Sequence, residues 1–308
     1  MFQLLIRRLL WAVPVVFGVL TLVFFLIHFI PGDPIDLMLG EQAAPADRAA
    51  LRGALHLDDP IPAQYGRFLW GIARGDLGRS LRTGEPVAEM ILSRYPATME
   101  LAFSALLIAL LIAFPIGIFS AVRARTPADT GALFFSLLGI SMPNFWLGPL
   151  LIVLFSIHLD WLPVSGRVGP TSWILPALTL GIGMSALLIR MTRSSLLEVI
   201  PKEYILAARA KGLTERAVIL KHAFPNALIP LLTVVGLQFG ALLTGSIITE
   251  TIFSWPGLGR LTLQAIHGRD YPLVQGCILI IALTYLFANL LVDFLYAAVD
   301  PRVRLIRE

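Results

Sequence analysis

The sequence predicts an all-α integral membrane protein: six transmembrane helices, with an extracytoplasmic helical insert between the first and the second. Three observations carry that expectation. The 308 residues are 57% hydrophobic and 14% charged, with a mean hydropathy of +0.80, whereas an ordinary soluble domain has about 25% charged residues. The apolar runs are longer than a buried core helix needs. Two polar stretches, residues 33–97 and 203–225, divide those runs, as loops on the two sides of a bilayer would.

In chain order, Arg7 and Arg8 precede an apolar run from Leu9 to Ile30. It is too long for the apolar part of a signal peptide and no A-x-A-like site follows, so a retained first span is expected, ending at the turn Pro31-Gly32-Asp33-Pro34. The insert follows. It offers helical pieces at 46–57, at 63–73 (Tyr65, Phe68, Leu69 and Ile72 on one face) and after Pro86, with a turn at Gly75-Asp76-Leu77-Gly78. The further spans are expected at Thr98–Val122, mildly broken at Pro115; at Gly131–Leu159, interrupted at Ser141-Met142-Pro143-Asn144; and at Trp173–Ile189, Ala227–Ile248 and Leu273–Val299. Each approaches or exceeds the ~20 residues that cross a hydrocarbon core. The domain boundaries expected are 1–97 for the first span with the insert, 98–299 for the core of five spans with a polar hairpin at 201–226, and 300–308 for a tail.

Lys and Arg placement orients the chain. The loop between the fourth and fifth spans carries Arg190, Arg193, Lys202, Arg209, Lys211, Arg216 and Lys221, and the C-terminus carries Arg302, Arg304 and Arg307. The short loops on the other side hold only Arg167, Arg260 and Arg269, and the insert balances seven Arg against nine acids. Both termini and the hairpin are therefore expected in the cytoplasm, in a bacterial-type plasma (inner) membrane. The basic residues are dispersed, which does not suit nucleic acid.

The hairpin is the longest polar stretch of the second half. It reads as two short helices broken at Gly212, which suits a turn of positive φ, with Thr214 capping the second. The chemistry the chain lacks narrows its role. The lysines are followed by Glu203, Gly212 and His222, so no nucleotide-binding Gly-Lys-Ser/Thr loop exists. The histidines (His28, His56, His158, His222, His267) are scattered, the single Cys277 excludes an internal disulfide, and no Ser/His/Asp arrangement stands out. No catalytic residue, metal site or bound cofactor is expected. The glycines of the fifth span, Gly236, Gly240 and Gly245, either pack helices closely or mark a broken helix.

The hairpin resembles the cytoplasmic loop of the membrane subunits of binding-protein-dependent ABC importers, whose pattern is Glu-Ala-Ala, three residues, Gly, nine residues, Ile-x-Leu-Pro. Ala207, Ala208, Gly212 and Pro225 occupy matching positions; Leu206, His222 and Phe224 depart from it. The departures are similar to the variant of the dipeptide, oligopeptide and nickel permeases, matched here by Ala208–Leu213, His222 and Asn226. The resemblance extends through Ser141–Trp146, Trp161-Leu162-Pro163, Trp255–Arg260, Arg269–Pro272 and Asp300-Pro301-Arg302, and the long insert is similar to the first of the two permease subunits.

That resemblance implies a type I ABC importer permease fold. It implies a second homologous permease as heterodimer partner, two cytoplasmic ATPase subunits holding ATP and Mg, and an extracytoplasmic solute-binding protein. It implies ATPase coupling through Glu203, Tyr204, Ala207, Ala208, Arg209, Lys211, Gly212 and Pro225, and a translocation path beside Ser141, Met142, Asn144, Phe145, Gly240 and Thr244. The insert either docks the binding protein or packs on the permeases. Peptides are the expected cargo, with nickel complexes, glutathione or haem as alternatives. An ion-coupled carrier is opposed by the lack of charge at mid-membrane, and a membrane enzyme by the lack of a catalytic cluster.

Overall fold

The computed structural model describes residues 2–29, 35, 44–54 and 57–299. The expected turn at Pro31–Pro34 and the tail 300–308 lie outside them. Among the described residues the chain is helical with no strand beyond one isolated bridge, Arg79 with Pro86. The helices are α1 (Phe2–Phe29), α2 (Pro45–Ala54), α3 (Ile61–Ala73), α4 (Val87–Val122), α5 (Pro127–Ser141), α6 (Asn144–Leu151, prolonged by a wide turn over Ile152–His158), α7 (Ile174–Val199), α8 (Glu203–Ala210), α9 (Glu215–Ala217, prolonged by a wide turn over Val218–Ala223), α10 (Phe224–Gly245), α11 (Ile247–Ile252), α12 (Leu258–His267) and α13 (Tyr271–Val299). Two compact units emerge: Met1–Leu5 with Met99–Trp255 and Tyr285–Glu308, and Ile6–Thr98 with Pro256–Thr284.

Four helices or continuous helical rods are long and apolar enough to cross a membrane, and the α5–α6 pair makes a fifth if counted as one span. In α1 the apolar stretch is the shorter Leu10–Phe25. Several expected boundaries move. The second span does not open at Thr98: α4 starts directly after Pro86 and absorbs the third helical piece of the insert, with Pro96 and Pro115 inside it. An apolar stripe, Val87, Ile91, Leu101, Ala105, Ala109 and Ala113, is buried along its whole length, and prolines are tolerated in such helices. The third span is no rod but a pair of helices meeting at 102°. Met142 is extended (φ −85°, ψ 111°) because Pro143 follows it, and Pro143 is extended in turn. The fourth span runs ten residues past Ile189 because Thr192, Ser195, Leu196 and Val199 keep one face of α7 buried.

In the unit of Ile6–Thr98 and Pro256–Thr284, α3 lays the predicted face on α1: Tyr65 and Phe68 lie 5.1 and 5.5 Å from Phe24, and Thr21 Oγ1 meets the Tyr65 hydroxyl at 2.6 Å. Val87, Ile91, Leu258, Leu261, Ala265, Leu273, Val274 and Cys277 form its core. Buried Asp270 clasps the turn after Gly78: Ser80 Oγ donates to Oδ2 and the Leu81 N–H donates to Oδ1 at 3.1 Å.

In the other unit α7 is the hub, packed against α5, α6, α10 and α11. Of its apolar window 61% is buried, against 33–39% for the other long spans. Close approach depends on missing side chains: a Cβ at Gly117 would fall 2.6 Å from Thr192 Cβ, and one at Gly181 would fall 3.0 Å from the Ala105 carbonyl oxygen. One ion pair pins α7. Arg193 forks onto Asp129 in the first turn of α5, with Nε to Oδ1 and Nη2 to Oδ2 both at 2.7 Å. The same carboxylate accepts from Ser120 Oγ on α4 at 2.5 Å and from the Arg125 N–H at 2.8 Å. Asp129 is buried and Arg193 is only 22% exposed, so loss of either partner strands a desolvated charge. Asp129→Ala or Arg193→Ala should each cost roughly 3–5 kcal/mol. The double substitution Asp129→Leu with Arg193→Met should cost less than either, read as thermal unfolding of the purified protein in one detergent.

Candidate functional site

The polar elbow between α7 and α10 is built from local rules. Lys202 is extended (ψ 147°) and starts α8; Lys211 ends it. Gly212 then sits at φ +78°, the left-handed region that turns the chain straight back. Thr214 is extended, and its hydroxyl accepts from the Ala217 N–H at 3.4 Å, opening α9. Arg209 closes the elbow by forking onto Glu215, with Nη2 to Oε1 at 2.6 Å and Nε to Oε2 at 3.1 Å. That hydrogen-bonded carboxylate also lifts the Arg209 guanidinium above its ordinary pKa.

The elbow has two faces. Inward, Ile205 and Ala208 join Leu196 and Val199 of α7 and Val218, Ile219, Ala223 and Ala227 in one buried cluster with Ala121. Outward, Glu203, Ala207, Lys211 and Gly212 are exposed, and so are Tyr204 (43%) and Leu206 (53%), with Leu213 and Leu220 beyond them. Partial burial of the Tyr204 ring pushes its phenol pKa up. Two sequence expectations change. Ala208, expected to take part in ATPase coupling, turns inward into that cluster, where α8 packs on the wide turn Val218–Ala223. Arg209, expected in the same coupling role, pairs with Glu215 of its own chain. Leu206 and Leu213 belong on the outer face instead; apolar residues on an otherwise polar segment were the available signal. Pro225 is exposed, but it does not reset the angle of the fifth span: Glu215–Leu243 runs as one apolar rod. The wide turn over Val218–Ala223 ends just before the proline, where an α-register would press its ring on the carbonyl four residues back.

A second feature is a cleft of about 510 Å³ beside the α5–α6 break, walled by that break, by α7 and by α10. Of the residues expected along a path, Met142 and Asn144 line it. Ser141 and Phe145 are exposed away from its lining, and Gly240 serves packing: a Cβ there would fall 2.5 Å from Tyr285 Cε2 on α13. Thr244 lies outside the residues whose side chains are described. Arg190, expected in the loop after the fourth span but placed within α7, and Gln238, which the sequence left unassigned, also line the cleft. Nothing local marked them, since they meet only once α7 and α10 are packed. Among the described residues no group of three His, Cys, Asp or Glu side chains is placed to hold a metal ion.

Comparison with known proteins agrees with this architecture. Residues 113–305 match the family described as binding-protein-dependent transport system inner membrane component, and residues 1–102 match the N-terminal region of such membrane components. The chain is 43% identical over 336 residues to the dipeptide transport system permease protein DppB of Escherichia coli K12, covering 99% of each. It is 43% identical over 304 residues to the glutathione transport system permease protein GsiC of Pectobacterium atrosepticum, again covering 99% of each. A solved chain of the MetNI methionine ABC transporter, in inward facing conformation, superposes with a TM-score of 0.59 at 19% identity, over 68% of this chain and 96% of that one. With matches over both halves and these relatives over nearly its full length, the chain belongs to the binding-protein-dependent transport system inner membrane component family, as a multi-pass permease subunit of an ABC importer.

Proposed function

We propose that this permease conducts short peptides delivered by a solute-binding protein, driven by ATP bound with Mg on two separate cytoplasmic ATPase subunits. The observation that carries the cargo is full-length similarity, at 43–44% identity, to permeases named for dipeptide transport in two bacteria. The similarity to glutathione permeases supports a second cargo of the same chemistry, since glutathione is itself a peptide with free carboxylates. A second, homologous permease completes a heterodimer. With the short apolar stretch of α1 and the bent α5–α6 pair counted as one span each, six spans leave both termini and the elbow on one side, and the Lys and Arg of the elbow support the cytoplasm as that side.

In this reading the elbow receives the work. Tyr204, Leu206, Ala207 and Leu213 form an apolar surface that a groove on an ATPase subunit covers, with Glu203 and Lys211 beside it. The inner face is fixed by Ile205 and Ala208 and the turn is clipped by Arg209 on Glu215. A push on the outer face therefore moves α7 and the α9–α10 rod rather than bending the elbow. ATP-driven closure of the two ATPases would then bias a two-state equilibrium between inward- and outward-facing permeases.

Uptake of a dipeptide into proteoliposomes holding the full transporter should require ATP and persist with an ionophore; ionophore-sensitive uptake without ATP would favour an ion-coupled carrier instead. Gly212→Val places a β-branched side chain at positive φ and should abolish uptake while membrane insertion stays normal. Gly212→Asn, which tolerates that region, should keep a larger share. Leu206→Glu puts a charge on the covered apolar surface and should weaken retention of the ATPase subunits roughly tenfold or more, measured by titrating them onto the permease pair.

A further inference from the structure

The cleft beside the α5–α6 break carries chemistry that the coupling role does not use. Its wall is apolar except for three side chains: Arg190 of α7, Asn144 of α6 and Gln238 of α10. None of the three side chains hydrogen-bonds or pairs with another described residue, and no Asp or Glu lies in the lining. One turn along α7, Arg193 shows the usual solution for an arginine in such a place, a bidentate carboxylate. Arg190 is more exposed than Arg193, and no described carboxylate pairs with it. An unpaired guanidinium at the edge of an otherwise apolar cleft is a ready donor for an anion that enters it.

The other groups narrow the anion. Two carboxamides each offer a donor pair and an acceptor, the complement of a peptide bond's C=O and N–H, without reading any side chain. Met142 and Met184 supply soft, adaptable walls that accept side chains of different shape. The fork of Arg190 suits a carboxylate rather than a single point acceptor. The α6 helix begins at Asn144, so its positive end opens beside the same space. At about 510 Å³ the cleft is in the range of small-ligand sites.

We infer that this cleft is a station for the C-terminal carboxylate of the transported peptide, held by Arg190, with Asn144 and Gln238 pairing to its last peptide bond. This rests on the peptide-importer reading. The site fixes one end by charge and leaves the side chains to the methionines. It selects a free C-terminus and not a sequence.

The test uses the assembled transporter in nanodiscs, without nucleotide or binding protein. The probe is a tripeptide with photo-leucine between two alanines, made as the free acid and as the C-terminal amide. After irradiation, adducts are mapped by mass spectrometry. The free acid should label residues 139–144 and 180–190 about tenfold or more over the amide, the size expected of a charge-assisted pair. Arg190→Gln should erase that preference and Arg190→Lys should keep part of it. Gln238→Leu serves as a second variant where substitutions at Arg190 impair assembly, and it should lower labelling by both probes. Equal labelling by acid and amide overturns the assignment, as does a preference that survives Arg190→Gln. Rescue of Arg190→Glu uptake by a new cation on the partner permease also overturns it, since the anion then belongs to the subunit interface. Peptide uptake by the wild-type transporter is measured in parallel. If uptake is absent, the peptide-importer reading falls and the station with it; if uptake is intact while acid and amide label alike, only the station falls.

Discussion

A carboxylate and a guanidinium withdrawn from water hold three helices in register. Asp129 opens α5, Ser120 closes on it from α4, and Arg193 reaches it from α7. The fork fixes both the height and the rotation of α7, because two parallel bonds of 2.7 Å tolerate little of either. The rest of that helix follows from this one setting. Three residues before Arg193, Arg190 reaches the cleft; three and six residues after it, Leu196 and Val199 form the seat of the elbow. With α7 rotated by one residue, about 100°, the seat would turn to the surface and Arg190 would leave the cleft. A buried ion pair is weak evidence for stability, since an apolar pair of equal volume packs without the desolvation cost. It is better evidence for register, which apolar surfaces of Leu, Ile and Ala specify poorly along a membrane helix.

Local chemistry was legible in the residues themselves. The turn at Gly212, the cap at Thr214 and the interruption at Met142-Pro143 each depend on a few adjacent positions, and each occurs where those positions predict. The apolar face of α3 also followed from its spacing. What could not be read depends on separation. Asp129 and Arg193 lie 64 residues apart, and Arg209 and Glu215 pair across a reversal and not along one helix face. Apolar spacing ends α7 at Ile189, before the first charge, whereas burial on one face continues through Thr192, Ser195 and Val199. The inward turn of Ala208 was hidden for the same reason: small residues suit a docking surface and a close helix seat equally well, and only packing decides between them.

Glycine shows the same limit from the other side. Gly212 is required by its φ, which any solvent-exposed turn would demand. Gly181 and Gly240 are required by neighbours, Ala105 with Ile108 in one case and Tyr285 in the other. Nothing in the sequence separates these uses. Gly236 and Gly240 therefore act as contact surfaces of α10 on α13, and the helical break lies elsewhere, at a proline and the extended residue before it.

That placement joins the elbow to the cleft. The segments leaving the elbow are α7 on one side and the continuous α9–α10 rod on the other. The same two helices supply two of the three walls of the cleft, Arg190 and Met184 from α7 and Gln238, Ala241 and Leu242 from α10; the third is the α5–α6 break. A rigid elbow can change the distance between its two helices only if one of them slides or tilts. The wide turns at Val218–Ala223 and Ile152–His158 are the places where helical hydrogen bonding is already relaxed, so a change of register meets least resistance there. Under the proposed coupling, displacement of the elbow alters the cleft directly, through helices that both features share, and no separate relay between them is required.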